Sequence, residues 1–420
     1  MSGRKAQENF MRTAVSVEEA THIVMDRVRL MDTEELCITQ SIGRYLAVEI
    51  IASQPVPHFR RAGMDGYAVI AADTSSATIR NPITLNVVDN IPAGTTSSMT
   101  IRPGECARIM TGAVVPDGAD AVIKYEMTEE SAYGTDEQET CCVKGMVIPG
   151  ENVSPIGIEI GSGELVLQAG VRIGPAEIAL LAMFGIATVQ VYQQPRVAIL
   201  ATGAELLDVH EPLQPGRIRN SNAYMVTAAV MDFGGIPVML GRISDDVEKA
   251  KAIVMDAFAV YDVVVTIGGV SVGDHDIIYD LTKDWDGDLK FNKVLMRPGS
   301  PTTYGLWNDK PLFALSGNPA ACYVGCRLFL RPALRGMMGA KLVPEPRMLA
   351  TLSTAYLKSD RSTRFIRGVF SSEKGSLVAT PIGYDMSSVT VSLRDANCLI
   401  CLPGSPKGYE AGELVEVIPL

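Results

Sequence analysis

A chain of 420 residues, at roughly 150 residues per domain, predicts about three domains and excludes a lone small module. Hydrophobic residues make up 47% and charged residues 20%, which excludes a chain dominated by disorder. The 37 basic and 48 acidic side chains leave a net charge of −11; that field repels polyanions and argues against nonspecific nucleic-acid binding, though not against a local basic pocket for a small anion.

The polar opening MSGRKAQENFMRTAV lacks the apolar run of a signal peptide. The longest apolar stretch, Ile178 to Tyr192, is short and broken by Gly185, so no membrane span is expected and the chain reads as cytoplasmic. Ser16 followed by Glu19 resembles a capping box. Val17, Ala20, Ile23, Val24 and Val28 recur at helical spacing, predicting an amphipathic helix from about Val17 to Leu30. From about Ile51 to Gly150 the pattern changes to short strands broken by Pro and Gly, among them Ile83 to Val88 and Ala121 to Glu126, which predicts a mainly β insertion.

Between Arg196 and Met338 strands and helices alternate: Val197 to Leu200, a helix from about Asn222, Pro237 to Leu240, a helix from about Asp245, then Val263 to Ile267. Such alternation predicts an open parallel sheet with helices on both faces. After Pro344 and Pro346, runs such as Met348 to Leu352, Arg364 to Phe370, Leu377 to Thr380 and Leu414 to Ile418 predict a small all-β domain. Eight cysteines in a chain of this length do not make a disulfide framework. Cys398 and Cys401 sit in a strand-like run, and Cys322 and Cys326 have no second pair or His beside them, so buried core thiols are expected rather than zinc.

In an open α/β sheet ligands bind beyond the carboxyl ends of the strands. Three such loops carry unusual residues: Thr202, Gly203 and Glu205 after the first strand; Gly268, Gly269, Ser271, Gly273, Asp274 and Asp276 after Ile267; and Ser316, Gly317, Asn318 and Pro319 after Leu315. Tight turns alone would explain any one loop. Three at one sheet edge point to an anion cradle, because glycine lets backbone N–H groups approach an oxyanion.

Neither a P-loop nor a GxGxxG between strand and helix is present, which disfavours an ordinary P-loop NTPase or nicotinamide dehydrogenase. Glu205, Asp245, Asp274 and Asp276 lie in or beside these loops as hard oxygen donors suited to Mg²⁺, although each alone reads as a solvated acid or cap. Asp284, Asp286 and Asp288 mimic an EF-hand start, but Leu289 stands where the loop needs glycine, and that site is rejected. Lys293 and Arg297 place two cations four residues apart beside a Pro/Gly turn ending at Ser300, a pattern suited to anion capture. Arg367 and Ser387 are the comparable candidates in the last domain. In the insertion, Arg60 to Tyr67 and Arg108 to Ala113 read equally as turns or as a site. His58 and His275 read as structural or accessory.

Taken in order, the segments RRAGMDGYAV, ARIMTGAVVPDGADAVI, ATGAEL, SDD, TIGGVSVGDHD, MRPGSPTT, LSGNPA and FIRGV resemble the MoeA and gephyrin E-domain family, molybdopterin molybdenumtransferases. The likeness runs from about Ser16 to the C-terminus. It implies a multidomain α/β and β fold: an elongated dimerisation domain (16–50 plus 151–190), a β insertion (51–150), an open MoaB/MogA-like α/β domain that binds molybdopterin (191–340) and a C-terminal β-barrel (341–420). It also implies a homodimer whose cleft combines the α/β and barrel domains of one subunit with the insertion of the other.

The implied reaction inserts molybdate into adenylated molybdopterin, with Mg²⁺-assisted hydrolysis of the adenylate and release of AMP and molybdenum cofactor. By carry-over, Asp65 and Thr111 act from the insertion, and Glu205, Asp245 and Asp276 hold the metal or position water. Lys293 and Arg297 neutralise oxyanion charge, Arg367 and Ser387 bind molybdate, and Gly268, Gly269, Ser271, Gly273, Ser300, Ser316, Gly317 and Asn318 line the pterin nucleotide. The chain departs from the family at Arg297-Pro-Gly-Ser300, where lysines are usual at both ends, at Ala321, often serine, and at Ala204, often acidic. A molybdopterin adenylyltransferase and later cofactor-maturation proteins are the implied partners, with no nucleic acid and no membrane. The alternatives are a gephyrin-like scaffold without catalysis and a dinucleotide phosphoanhydride hydrolase on the same core.

Overall fold

The computed structural model describes residues 14–130, 139–243, 246–269, 287–341 and 346–420. The chain divides into two compact units: one comprises the chain up to Val48 with Ala169–Ile178 and Ala187–Leu420, the other Glu49–Gln168 with Ala179–Ile186.

The smaller unit is built on a six-stranded sheet of β1 (Gly66–Val69), β2 (Ile83–Ile91), β3 (Glu105–Ile109), β4 (Ala121–Lys124), β5 (Thr128–Glu130) and β6 (Thr140–Val143), in the order β4-β1-β3-β2-β6-β5. Alternation splits its side chains between two cores. Tyr67, Val69, Cys106 and Ile123 face one, and Ala68, Ala107, Ile109 and Val122 the other. The strand expected from Ala121 to Glu126 stops at Lys124, where a 3-10 turn, Tyr125–Met127, begins and the Tyr125 N–H turns to the Asp65 carbonyl at 3.2 Å. The strand expected from Ile83 to Val88 runs on to Ile91, drawn out by its parallel pairing with β3 up to Ile109.

In the larger unit, α1 (Val17–Met25) is capped by the Ser16 hydroxyl, which accepts from the Glu19 N–H at 3.0 Å. It ends well short of Leu30. Arg27 and Val28 donate to the carbonyls three residues back, tightening the last turn, and Val28 reaches the same core as Val17, Ala20 and Val24 from beyond the helix. Its helical spacing thus reports burial rather than helix.

The α/β sheet contains β7 (Arg196–Thr202), β8 (Ile236–Ile243), β9 (Val263–Ile267), β10 (Asp288–Phe291), β11 (Thr303–Trp307) and β12 (Lys310–Leu315), in the order β8-β7-β9-β12-β11-β10. Helices α2 (Ser221–Phe233) and α3 (Val247–Val260) connect the first three strands, and α4 (Pro319–Gly325) and α5 (Arg331–Met337) follow the last. Val197, Ile199, Val263 and Val265 pack on the face shared with α1, α2 and α5, while Ala198, Leu200 and Val264 pack on α3, so helices cover both faces. The sheet is mixed rather than wholly parallel. β11 turns back on β12 through Asn308 and Asp309, at φ 47° and 64°, residue types that tolerate the left-handed region a two-residue hairpin requires.

The last strands, β13 (Met348–Leu352), β14 (Thr363–Glu373), β15 (Ser376–Pro381), β16 (Cys398–Leu402) and β17 (Leu414–Pro419), run β14-β15-β13-β17-β16, and β16 pairs back onto β14 to close a five-stranded barrel. Cys398 and Cys401 lie in β16, Cys322 in α4 and Cys326 in the π-helical turn after it, and all four are buried free thiols. No helix among the described residues is long and apolar enough to cross a membrane.

Candidate active site

The chain leaves β7 for β8 on one side and then crosses to β9 on the other, so the crevice of this sheet opens beyond the ends of β7 and β9. Gly268 follows β9 with φ +88°, and a Cβ there would lie 2.7 Å from Thr202 Oγ1 and 2.9 Å from the Thr202 carbonyl oxygen. The Gly268 N–H donates to Leu315 at the end of β12 at 2.9 Å, and a Cβ on Gly317 would meet the Gly268 Cα at 3.5 Å. Asn222, nearly buried at the start of α2, donates its amide to the Gly317 carbonyl at 2.7 Å. All three glycine-bearing loops therefore touch. Ser316 accepts from the Asn318 N–H at 3.2 Å, a local turn that opens α4. Gly269 continues the left-handed backbone at φ +64°.

The Glu205 carboxylate folds back over Gly203, where a Cβ would meet its oxygens at 2.5 and 2.7 Å, and the residue is exposed. Asp245, Ser271, Gly273, Asp274 and Asp276, together with His275, Asp284 and Asp286, lie outside the described residues. Among the described residues no group of three or more His, Cys, Asp and Glu is arranged to hold a metal.

The Arg297–Ser300 turn packs against the start of α4: Gly299 sits at φ +97°, and its Cβ would meet the Ala321 carbonyl at 3.3 Å. The Ser300 hydroxyl donates to the Val294 carbonyl at 2.9 Å and closes the turn. Lys293 is half-buried, whereas Arg297 is exposed with its Nε 3.2 Å from Asp360 Oδ2. Asp360 also receives Arg364 at 2.9 Å and the Ser362 N–H at 3.0 Å. Burial acts to raise its pKa, but the Ser362 N–H and the two guanidiniums outweigh that and hold it below the usual carboxylate value.

From the barrel, Arg367 is 2% exposed and donates to the carbonyls of Tyr384 and Met386 at 2.5 and 3.3 Å, while its Nε has no acceptor among the described residues. Burial lowers its guanidinium pKa against the opposing pull of Asp385. The loop it holds continues into Ser387, whose carbonyl accepts from the Ala320 N–H at 3.0 Å, seating barrel residues on α4.

In the smaller unit, Asp65 Oδ1 accepts from both the N–H and the hydroxyl of Thr111, at 2.6 and 2.7 Å. Those bonds hold the carboxyl below its ordinary pKa, the backbone N–H contributing most. Gly66 permits this placement: a Cβ there would fall 1.8 Å from the Ile123 carbonyl, so only glycine lets β1 pair with β4. Arg60 is committed to the carbonyls of Ala119 and Pro116, at 2.9 and 3.3 Å, and Arg61 to Glu159 at 3.2 Å, so these cations serve the turn. Asn222 and Asp360 are the neighbours that sequence reading passed over. A carboxamide at the start of an otherwise apolar helix was the available signal for Asn222; Asp360 offered none.

Fold and geometry define a protein that brings three glycine loops and the Glu205 carboxylate to one α/β switch point and seats a barrel loop and the Arg297–Ser300 turn on the helix that follows. Residues 15–185 match the MoeA N-terminal region (domain I and II), 198–336 the probable molybdopterin binding domain and 350–420 the MoeA C-terminal region (domain IV). The chain is 42% identical over 407 residues to the molybdopterin molybdenumtransferase of Bacillus subtilis, covering 97% of this chain and 94% of that one. It is 40% identical over 408 residues to the protein of that name from Staphylococcus epidermidis, covering 97% and 96%. The crystal structure of the molybdopterin biosynthesis MoeA protein from Pyrococcus horikoshii OT3 superposes with a TM-score of 0.84 at 30% identity, covering 97% of this chain and all of that one. The chain belongs to the MoeA family of molybdopterin molybdenumtransferases.

Proposed function

We propose that the protein inserts molybdate into adenylated molybdopterin and hydrolyses the adenylate. The two dithiolene sulfurs bond to molybdenum as oxo groups leave it as water, carrying the thiol protons; a separate water adds to a phosphorus of the anhydride, a bridging P–O bond breaks, and AMP and molybdenum cofactor leave. The observation that carries this reading is the mutual contact of the Thr202, Gly268 and Gly317 loops, with Ala320 and Ala321 of the adjoining helix held by Ser387 and the Arg297–Ser300 turn. Glycines at close approach suit a pyrophosphate, and cations with hydroxyls suit a tetrahedral dianion.

In this reading the loop glycines with Ser316 and Asn318 bind the pterin nucleotide, and Ser271 and Gly273, next in sequence after Gly269, are assigned to the same ligand. Lys293 and Arg297 neutralise oxyanion charge. Ser387 meets molybdate with Arg367 behind it holding the loop, and Ser300 shapes the turn. Asp65, oriented by Thr111, offers its second oxygen from the β insertion. Glu205, Asp245 and Asp276 are hard oxygen donors that fit a divalent cation such as Mg²⁺, which when bound supplies charge neutralisation at the anhydride.

We further assign a cytoplasmic homodimer, with the elongated domain (16–50 plus 151–190) as its dimer contact, a molybdopterin adenylyltransferase as the supplier of substrate and cofactor-maturation proteins as takers of product. Incubating the purified protein with adenylated molybdopterin, MgCl₂ and molybdate should release AMP in proportion to cofactor formed. Absence of AMP at saturating substrates would overturn the assignment.

A further inference from the structure

Arg297 sits in a two-residue strand, Met296–Arg297, that pairs on the edge of the barrel's sheet, and the group that holds it comes from the chain entering the barrel. Its side chain is 62% exposed, that of Asp360 11%, and they meet between Nε and Oδ2 at 3.2 Å. Asp360 is firmly placed. Arg364 Nη2 lies 2.9 Å from the same oxygen, the Ser362 N–H donates to the other at 3.0 Å, and the Asp360 N–H donates to the Ser405 carbonyl at 3.0 Å. The parallel pairing of Met296 and Arg297 with Thr363 and Arg364 sets the register that brings these groups together.

A guanidinium carries five N–H donors, one at Nε and four on the two Nη nitrogens. Anchorage through Nε leaves the Nη nitrogens for another acceptor, and they have none among the described residues. The charge around the anchor also favours an anion. Arg297, Arg364 and Lys358 face Asp360 and Asp385, three cations against two carboxylates joined by contacts of 2.9–3.2 Å. Asp360 can therefore orient Arg297 without cancelling its charge. A lysine in that place would have a single ammonium to divide between anchor and ligand.

We propose that Asp360 is a positioning residue: it holds Arg297 by the Nε edge and so presents the Nη edge to the tetrahedral oxyanion substrate. This rests on the assignment of Arg297 to the oxyanion made above.

The test compares wild type, Asp360→Asn, Arg297→Lys and the double variant by equilibrium dialysis against molybdate and by AMP release as molybdate is varied. Each single change should raise the molybdate half-saturation about tenfold, the scale of one charge-assisted contact, with the effect falling on half-saturation rather than on the rate at saturation. The double variant should bind no more weakly than the weaker single, because both changes act through one guanidinium. Arg297→Lys leaves the Asp360–Arg364 pair intact and keeps the test open if Asp360→Asn folds poorly. Wild type that takes up no molybdate would overturn the reading of the site and this inference with it. Normal wild-type uptake with unchanged half-saturation in a folded Asp360→Asn, or effects that multiply in the double variant, would overturn this inference alone.

Discussion

Gly268→Ala perturbs the point where the strand-end loops meet. The added methyl must be carried at φ +88° and placed 2.7 Å from Thr202 Oγ1 and 2.9 Å from its carbonyl oxygen. A Cβ in the left-handed region costs about 1–2 kcal/mol, and shifting a backbone neighbour to relieve overpacking adds about 1–3 kcal/mol. The sum, about 2–5 kcal/mol, is a large share of the roughly 5–15 kcal/mol that holds a native protein folded. Gly216→Ala supplies the reference: φ is +73° and a Cβ would meet nothing within 4 Å, so only the conformational cost, about 1–2 kcal/mol, applies there.

Urea unfolding of both variants, with equal m-values, should show Gly268→Ala the weaker by the overpacking component. Thr202 and Gly317 move with Gly268, so kcat/KM for adenylated molybdopterin should also fall, by up to about a hundredfold for an ångström of displacement. Gly216→Ala should leave it unchanged. Equal stability of the two variants, with undiminished AMP release from Gly268→Ala, would refute the claim that these loops are set by backbone contact.

Asn222→Ala removes the donor to the Gly317 carbonyl at 2.7 Å. Leaving that acceptor unpaired should cost about 1–3 kcal/mol in denaturant unfolding. Thr111→Val deletes one of the two bonds on Asp65 Oδ1, so a carbon-detected NMR titration should show the Asp65 pKa rise toward its ordinary value. Because the folded pKa is depressed, the stabilisation from Asp65 is complete above the unfolded-state pKa and lost as pH falls through the folded one; Thr111→Val should shrink that acid-side loss. A thiol reagent at neutral pH should label the exposed Cys37 rapidly and the half-buried Cys142 slowly, leaving Cys398 and Cys401 silent, because burial pushes both thiols up to about 12.

What the sequence revealed and what it concealed divide by the range of the interaction. Glycine at Gly268 and Gly299 is demanded locally, by a left-handed φ, so these positions stood out as motifs, whereas Gly66 is demanded by the distant Ile123 carbonyl and stood out only as part of the MDGYA run. The alternation in β7 was likewise local: odd residues face one helical layer and even residues the other. The end of α1 was not, because Val28 keeps the helical spacing while packing from a turn. Asn308 and Asp309 made the reversal into β12 readable in principle, yet the surrounding βα alternation favoured a parallel strand.

The charged groups were least legible. Nothing near Arg297 in sequence separates a surface cation from an oxyanion ligand, since that depends on a pairing with β14 formed only in the folded chain. Arg367 shows the reverse: an arginine that looked free to meet an anion is buried and spends its Nη2 on the carbonyls before Ser387. A cation's part in such a site follows from the acceptor that holds it. Arg297, gripped at one edge by Asp360, and Arg367, turned inward to a loop, are therefore expected to answer differently to molybdate although both are arginines beside the same helix.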